Sequence, residues 1–508
     1  MIDMKGQRMV IVSNRLPIVL RESNGQWTMQ KGSGGLVTAL SPILENRGGL
    51  WVGWTGITKT MPIGEIKKVL DPFSLESGFR LLPVFLTEEE RDLFYYGLSN
   101  EVIWPLFHDL QTRCRFDPGY WDAYLAVNRK YARTIERHVR EGDFIWIHDY
   151  HLIPLAEELS RKGFEGNLAF FLHIPFPPPD IFVKFPWRKD LLRALLHYGF
   201  IGFQTLRDRR NFTDCLRVFF PETRIEGRGP IIRILIGDVE TRAGHLPISV
   251  DAEEFIRISR SKEVAERTQA IRNDFGQRRL LFSVDRLDYT KGIPEKLKGF
   301  RHALREFPEL KGTVTLIQQL VPSRETVPAY HVLKEEIDRL VGQINGEFST
   351  GDWVPIVYRY QPMDRPELIA HYRAADVGLI TPLKDGMNLV AKEYVLSQAD
   401  NRGVLVLSEF AGSAMQLGES CLLVNPYSVK EIAEAIVGAL SMPGEEKKRR
   451  LRNMRKTLRH HDVFWWVRNF LRASAGRELE DFPERELTPL SAPLVLESKD
   501  MMRKEEWV

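Results

Sequence analysis

The 508-residue chain has little of several things, and each shortage narrows what it can be. It carries three cysteines, Cys114, Cys215 and Cys421, far apart and without a CxxC pair or a Cys/His cluster. That argues against a disulfide framework or a structural zinc site and suits a reducing, cytoplasmic setting. Net charge is nearly absent, with 71 Lys+Arg against 68 Asp+Glu leaving a formal +3. A protein dedicated to nucleic acid needs a larger basic excess. No window reaches the roughly 18 apolar residues of a membrane helix. The apolar run at 9–12 stops at Ser13-Asn14, too short for a secretory leader. A P-loop, a G-x-S-x-G elbow, an HExxH, an EF-hand loop, a protein-kinase set and any D-x-D triplet are also missing.

What is present reads as an ordinary globular protein, 43% hydrophobic and 27% charged. Short β-rich runs at 9–12, 144–147, 168–172 and 200–203 are each followed by helical periodicity. The pattern restarts at 279–284, 313–318, 354–358, 377–380, 404–407 and 421–424, with helices predicted at 365–374, 390–399 and 429–440. Such alternation predicts an α/β chain of two Rossmann-like, doubly wound parallel-sheet domains. The expected domains are 1–247 and 248–475, facing across a cleft and joined near Pro247, with the last helices free to cross back to the first. From 476 to 508 the periodicity fades, which predicts a poorly ordered tail. Residues 445–459 are dense in Lys and Arg, which fits a phosphate or RNA patch. Leu451, Met454 and Leu458 recur there at helical spacing, which favours a solvated helix face instead.

Ligands of open α/β sheets bind beyond the carboxyl ends of the strands, so residues there are the candidates. Gly34 and Gly35 precede a helical stretch, where paired glycines either let backbone approach an anion or mark a plain turn. Arg286 and Lys291 follow a strand within Asp285-Arg286-Leu287-Asp288-Tyr289-Thr290-Lys291-Gly292. Two cations on one such loop can grip a diphosphate. Local pairing with Asp285 and Asp288 is the competing reading, and the spacing leaves both open. Asp385-Gly386-Met387-Asn388-Leu389-Val390-Ala391-Lys392-Glu393 follows another strand. Gly386 permits a tight approach, the first helical amides can face oxygens, and Glu393 can accept both hydroxyls of a vicinal diol such as a ribose. The alternative for Glu393 is a first-turn acid favouring the helix dipole or pairing with Lys392. His148-Asp149-Tyr150-His151 and His173-Ile174-Pro175-Phe176-Pro177 also end strands, where His and Asp suit orienting or acid–base work. His148-x-x-His151 could start a metal site, but no third ligand is recognisable.

Taken together, these segments closely resemble the trehalose-6-phosphate synthases, retaining glycosyltransferases of the two-Rossmann GT-B type. Further matching strings are Val12-Ser13-Asn14-Arg15-Leu16-Pro17, Ser33-Gly34-Gly35-Leu36, Gly49-Leu50-Trp51-Val52-Gly53-Trp54, Phe94-Tyr95-Tyr96, Ile103-Trp104-Pro105, Pro322-Ser323-Arg324 and Ile344-Asn345-Gly346. The resemblance implies transfer of glucose from UDP-glucose to glucose 6-phosphate, giving α,α-trehalose 6-phosphate and UDP, with no metal or other cofactor. On the donor side it implies Gly34 and Gly35 against the nucleotide-sugar and Arg286 and Lys291 on its diphosphate. Glu393 would hold the ribose, and Gly386, Met387, Asn388 and the backbone of Leu389, Val390, Ala391 and Lys392 would line the same ligand. Met363 takes a nucleotide-contact position where a relative carries Phe. On the acceptor side Arg15 and Arg324 would bind the 6-phosphate and Tyr96 and Asp149 the sugar, with Trp104 nearby. His173 and Asp385 would lie near the reacting carbon, so Asp149, His173, Arg286, Lys291 and Asp385 form the catalytic set.

The two substrates are the only partners implied; a homo-oligomer is left open. A glucosylglycerol-phosphate synthase, using ADP-glucose and glycerol 3-phosphate, is the nearest rival, and Arg15 and Arg324 favour the trehalose reading. A silent sugar-phosphate-binding regulator is expected to lack one of Arg286, Lys291, Asp385 or Glu393, and all four are present. The residues beyond 476 are too few to fold an appended phosphatase domain.

Overall fold

The computed structural model describes residues 7–479 and Phe482, apart from 24–25, 33–36, 38–39, 42–43, 46–47, 59–61, 165 and 324–326. The chain divides into two compact units, one ending at Asp251 but joined by His461–Phe482, the other Ala252–His460. Beyond 479 the predicted tail lies outside the described residues except at Phe482, whose ring packs on His245 and Trp465.

The first unit is built on a nine-stranded sheet. Edge to edge it runs Arg80–Val84, Leu50–Trp54, Met9–Arg15, Phe144–His148, Asn167–Phe171, Phe200–Phe203, Val239–His245, Ile231–Ile236 and Arg224–Glu226. The central strands are continuous apolar runs buried on both faces, as parallel strands covered by helices must be. Two features depart from the sequence reading. Leu50–Trp54 and Arg80–Val84 were not marked as strands. The last two pairings are antiparallel, because Ile231–Ile236 turns straight into Val239–His245 through Gly237, whose φ of 55° suits a two-residue hairpin. The helix Val463–Ser474, capped by Asp462, packs on this sheet: Phe470 stacks on Trp146 at 4.1 Å, and Trp466 meets the edge of Phe171. Burying rings of this size is worth several kcal/mol each, so the returning helix is part of this core.

The second unit has a six-stranded, all-parallel sheet in the order Ile356–Tyr360, Val314–Val321, Arg279–Arg286, Val377–Ile380, Val404–Ser408, Leu422–Val424. Its helices Arg365–Ala374, Leu389–Ser397 and Val429–Ser441 lie close to their predicted spans. Among the parallel strands, each sheet reverses order once, beside Met9–Arg15 in one and Arg279–Arg286 in the other. These are the topological switch points, where strands on either side send their loops apart and leave a crevice. Among the described residues no helix is long and apolar enough to cross a membrane.

Candidate active site

At the first switch point Met9–Arg15 and Phe144–His148 run parallel with Val12 opposite Ile147; Arg15 ends one strand and Asp149 follows the other. The backbone around Arg15 is locked on several sides. Ser13 Oγ donates to Arg15 O (2.7 Å) and accepts from Trp51 Nε1 (2.8 Å). Tyr131 Oη donates to Asn14 O (2.7 Å) and accepts from Trp54 N (2.9 Å). Gly53 is required for this approach, since a Cβ there would stand 2.7 Å from the carbonyl carbon of Arg15. The Arg15 side chain is exposed, with its guanidinium over the rings of Trp54 (4.6 Å) and Tyr95 (5.5 Å). Aromatic faces orient a guanidinium without neutralising it, so its planar fork stays suited to a phosphate.

Tyr95 and Tyr96 lie on Arg91–Ile103, a π-helix, a rare winding that concentrates at functional sites. Tyr96 is half-buried against Tyr95 (5.2 Å between centroids) and the Arg91 guanidinium (5.8 Å). Trp104 follows this helix, buried, with its ring 4.3 Å from that of His108.

Asp149 has φ 75° and ψ 164°, a region that side chains of L-residues rarely enter and that stores about 1–3 kcal/mol of strain. Its amide donates to Phe171 O (2.8 Å), and its Oδ1 accepts from His173 N (3.3 Å). His148 Nδ1 lies 3.1 Å from His173 Nε2, so one imidazole donates and the other accepts. Burial pushes His173 down to about 3 and holds His148 far below its usual value, with His173 adding to the effect. Both rings are therefore neutral near pH 7. His151 stacks instead on Tyr95 (5.9 Å, 13°), away from the His148–His173 pair, so the two histidines of His148-x-x-His151 have separate surroundings. Among the described residues no group of three or more His, Cys, Asp or Glu could hold a metal ion.

At the second switch point Arg286 ends its strand, exposed, and Lys291 sits on the short 3₁₀ turn Tyr289–Lys291. Lys291 Nζ contacts Asp385 Oδ2 at 2.5 Å. Asp385 also accepts from the amides of Met387 (3.3 Å) and Asn388 (3.1 Å) and from Asn388 Nδ2 (3.1 Å). Asn388, at φ 66°, caps the helix Leu389–Ser397 by accepting from Ala391 N at 3.1 Å. The loop is pressed against neighbouring backbone: a Cβ on Gly412 would meet Gly386 O at 1.9 Å.

This geometry corrects two of the alternatives left open above. Asp285 is turned inward on the fully buried Lys296 (2.5 Å), while Lys291 reaches Asp385 across the switch point, so these two groups do not form a local surface pair. Glu393 accepts from Tyr372 Oη at 2.9 Å, whereas Lys392, fully buried, donates to Gln416 Oε1 at 2.6 Å. Burial raises the Glu393 carboxyl above its ordinary value, opposed by Tyr372 and Arg365, and pushes Lys392 down to about 7. Leu389 and Val390 form the first turn of the same helix, and Met363 lies half-buried in the loop before Arg365–Ala374. Gly34, Gly35 and Arg324 lie outside the described residues.

Sequence reasoning missed Lys296 and Tyr372. A signal for the first existed, since Ser283 and Asp285 interrupt a buried apolar strand and so demand a polar partner. Tyr372 had none, because its contact with Glu393 depends on how two helices pack.

A family model described as glycosyltransferase family 20 matches residues 7–475. The bifunctional trehalose-6-phosphate synthase/phosphatase of Thermoproteus tenax is 41% identical over 475 residues, covering 91% of this chain and 63% of that protein. The chain thus spans less than two thirds of that relative. The trehalose-6-phosphate synthase of Mycolicibacterium vanbaalenii is 38% identical over 480 residues, covering 93% of this chain and 97% of that one. Among solved structures, the UDP-forming α,α-trehalose-phosphate synthase of Burkholderia xenovorans in complex with glucose-6-phosphate matches with a TM-score of 0.83 and 34% identity, covering 92% of this chain and 100% of the other.

Proposed function

The chain belongs to glycosyltransferase family 20 and has its GT-B type of fold, and from that premise we propose that it transfers glucose with retention from UDP-glucose to glucose 6-phosphate, forming α,α-trehalose 6-phosphate and UDP. One observation carries the reading most directly. Lys291, pinned to Asp385 at 2.5 Å, and the exposed Arg286 share the second switch point, which suits a diphosphate leaving group. Breaking the bond between the glucosyl anomeric carbon and the diphosphate oxygen develops negative charge on that oxygen. Cations fixed beforehand stabilise that charge more in the transition state than in the ground state. An ammonium has three donors, so Lys291 can keep Asp385 and still serve the diphosphate.

Arg15, oriented by Trp54 and Tyr95, would bind the 6-phosphate of the acceptor, with Tyr96 and Asp149 on its hydroxyls. His173, neutral, would hydrogen-bond the donor sugar rather than offer it charge. Asp385 is engaged by Lys291, Asn388 and two amides, which suits holding the loop and the sugar rather than attacking carbon. We therefore assign attack to the anomeric hydroxyl of glucose 6-phosphate on the face the diphosphate leaves. The new bond joins the two anomeric carbons through that oxygen, and its proton passes to the departing diphosphate oxygen. Protein cations carry the charge in this scheme without a metal, so activity should persist in excess chelator. The phosphorylated substrates and dispersed cysteines fit a cytoplasmic enzyme.

The test is product identification: the purified protein with UDP-glucose and glucose 6-phosphate should yield trehalose 6-phosphate with both linkages α. A product formed only from glycerol 3-phosphate, or no product at all, would refute the assignment.

A further inference from the structure

The basic run at 445–459 resolves into two faces of the helix Gly444–His460. Leu451, Met454 and Leu458 are buried, as their spacing predicts. The neighbouring face carries Arg452, Arg455, Lys456 and Arg459, three and four residues apart and so in one stripe. Together with Arg260 and His460, this stripe lines a cavity of about 540 Å³ within the second unit, where Leu396 and Ala399 add apolar wall.

The protein balances the charge in this cavity only in part, through Asp400 near Arg455 and through Glu445, already paired with Lys448, near Arg452. Its only acid among the described lining residues, Glu253, is committed to Arg459 at 2.6 Å. Arg455 donates to Val395 O (3.2 Å), Asn401 Oδ1 (2.5 Å) and Gln398 O, none of them an anion. Burial lowers the Arg455 pKa and repulsion from Arg260 adds to it, with Asp400 opposing. Among the described residues the side chains of Arg260, Arg452 and Lys456 have no hydrogen bond or ion pair. Like charges at this spacing oppose the helix. Attraction to the helix C-terminus accounts only for Arg459 and His460, because that effect fades within the last turn.

We infer that this cavity is a binding site for a small, multivalent phosphate compound, separate from the residues assigned to donor and acceptor. Its size fits a small molecule. Its cations converge on one concavity, whereas a single-stranded nucleic acid needs a basic track interleaved with aromatic faces. The site also adjoins the donor-side helix: Arg455 holds carbonyls at the C-terminal end of Leu389–Ser397, the helix that Asn388 caps at its other end.

The probe is inorganic tripolyphosphate, titrated calorimetrically into the full chain. One equivalent should still bind an Arg15→Ala/Lys291→Ala variant, in which the substrate residues are weakened as a competing anion site. Binding should weaken at least ~10-fold in an Arg260→Ala/Arg452→Ala/Lys456→Ala variant, because each contact removed is charge-assisted. The three side chains are exposed, and Lys456→Glu alone should weaken binding in the same direction, which guards against a folding artefact. Loss of binding in the Arg15/Lys291 variant but not the triple variant would overturn the inference and return the anion to the substrate residues. Equal binding in all variants would also overturn it, as would capture of an RNA oligonucleotide without tripolyphosphate. Whether trehalose 6-phosphate is formed does not enter these outcomes, so the two readings can fail separately.

Discussion

In the first unit the switch point carries Arg15 on aromatic faces and two neutral imidazoles, His148 buried and His173 half-buried. In the second it carries Lys291 on Asp385, backed by a buried Lys296–Asp285 pair one layer in. The position of the residues is common to both units and follows from topology, since a reversal of strand order exposes strand ends. Their electrostatics differ, and the difference suits two tasks. A phosphate that is only bound wants an uncompensated cation in a fixed orientation. A diphosphate that must accept charge during reaction wants a cation held rigidly by its own counter-ion.

The comparison predicts unequal consequences for disturbing each unit. The largest effect is expected for Lys291→Ala, which should lower kcat by roughly 100- to 1,000-fold, about 3–4 kcal/mol, with little change in the KM for glucose 6-phosphate. Steady-state kinetics reads this, and unchanged turnover would remove Lys291 from the transition state. Arg15→Ala should cost about 1.5–3 kcal/mol, raising the KM for glucose 6-phosphate roughly 10- to 150-fold while the donor KM stays put.

The third effect is on stability and belongs to the first unit. His173 titrates near 3 when folded, pushed down by burial, while its unfolded value is ordinary, about 6.5. Between those values the unfolded chain takes up a proton that the native state refuses. Stability should therefore fall on acidification from about pH 6.5, by up to ~1.4 kcal/mol per pH unit for that proton. Denaturant melts across pH should show a shallower slope for His173→Asn. The smallest effect belongs to the second unit. Glu393, raised by burial, loses one acceptor oxygen when protonated, so the donor KM should climb as pH falls toward the carboxylate range. Tyr372→Phe removes a hydrogen bond that favours the charged form and should start that climb at higher pH, with a shift in KM of about 2- to 12-fold. A pH profile indistinguishable from the parent would detach Tyr372 from the site.

Much of this was legible in the sequence because parallel strands buried on both faces are short apolar runs, and the residues after them stand out as polar. Arg286, Lys291, Asp385, Asp149 and His173 stand out that way, each ending or following a strand. Leu50–Trp54 hid because Gly48 and Gly49 precede it and Gly53 interrupts it, which reads as a turn rather than a strand; Gly53 is there for the close passage of Arg15. The antiparallel edge hid because Arg233 interrupts Ile231–Ile236 and Glu240 and Arg242 enter Val239–His245, as an edge facing water allows. Side-chain pairings remained undecided, since whether Lys291 chooses Asp288 or Asp385 depends on a loop 94 residues away. The basic helix was read as one solvated face, and only packing separates its buried stripe from the stripe that lines a cavity.

The central claim is that the first unit holds the acceptor's phosphate and the second the donor's diphosphate. Two-substrate kinetics on Arg15→Ala and Lys291→Ala, with UDP-glucose and glucose 6-phosphate both varied, tests it most directly. The account predicts that Arg15→Ala changes only the acceptor KM and that Lys291→Ala lowers kcat and leaves the acceptor KM alone. If Arg15→Ala instead impaired the donor, or Lys291→Ala impaired only the acceptor, the division would be contradicted.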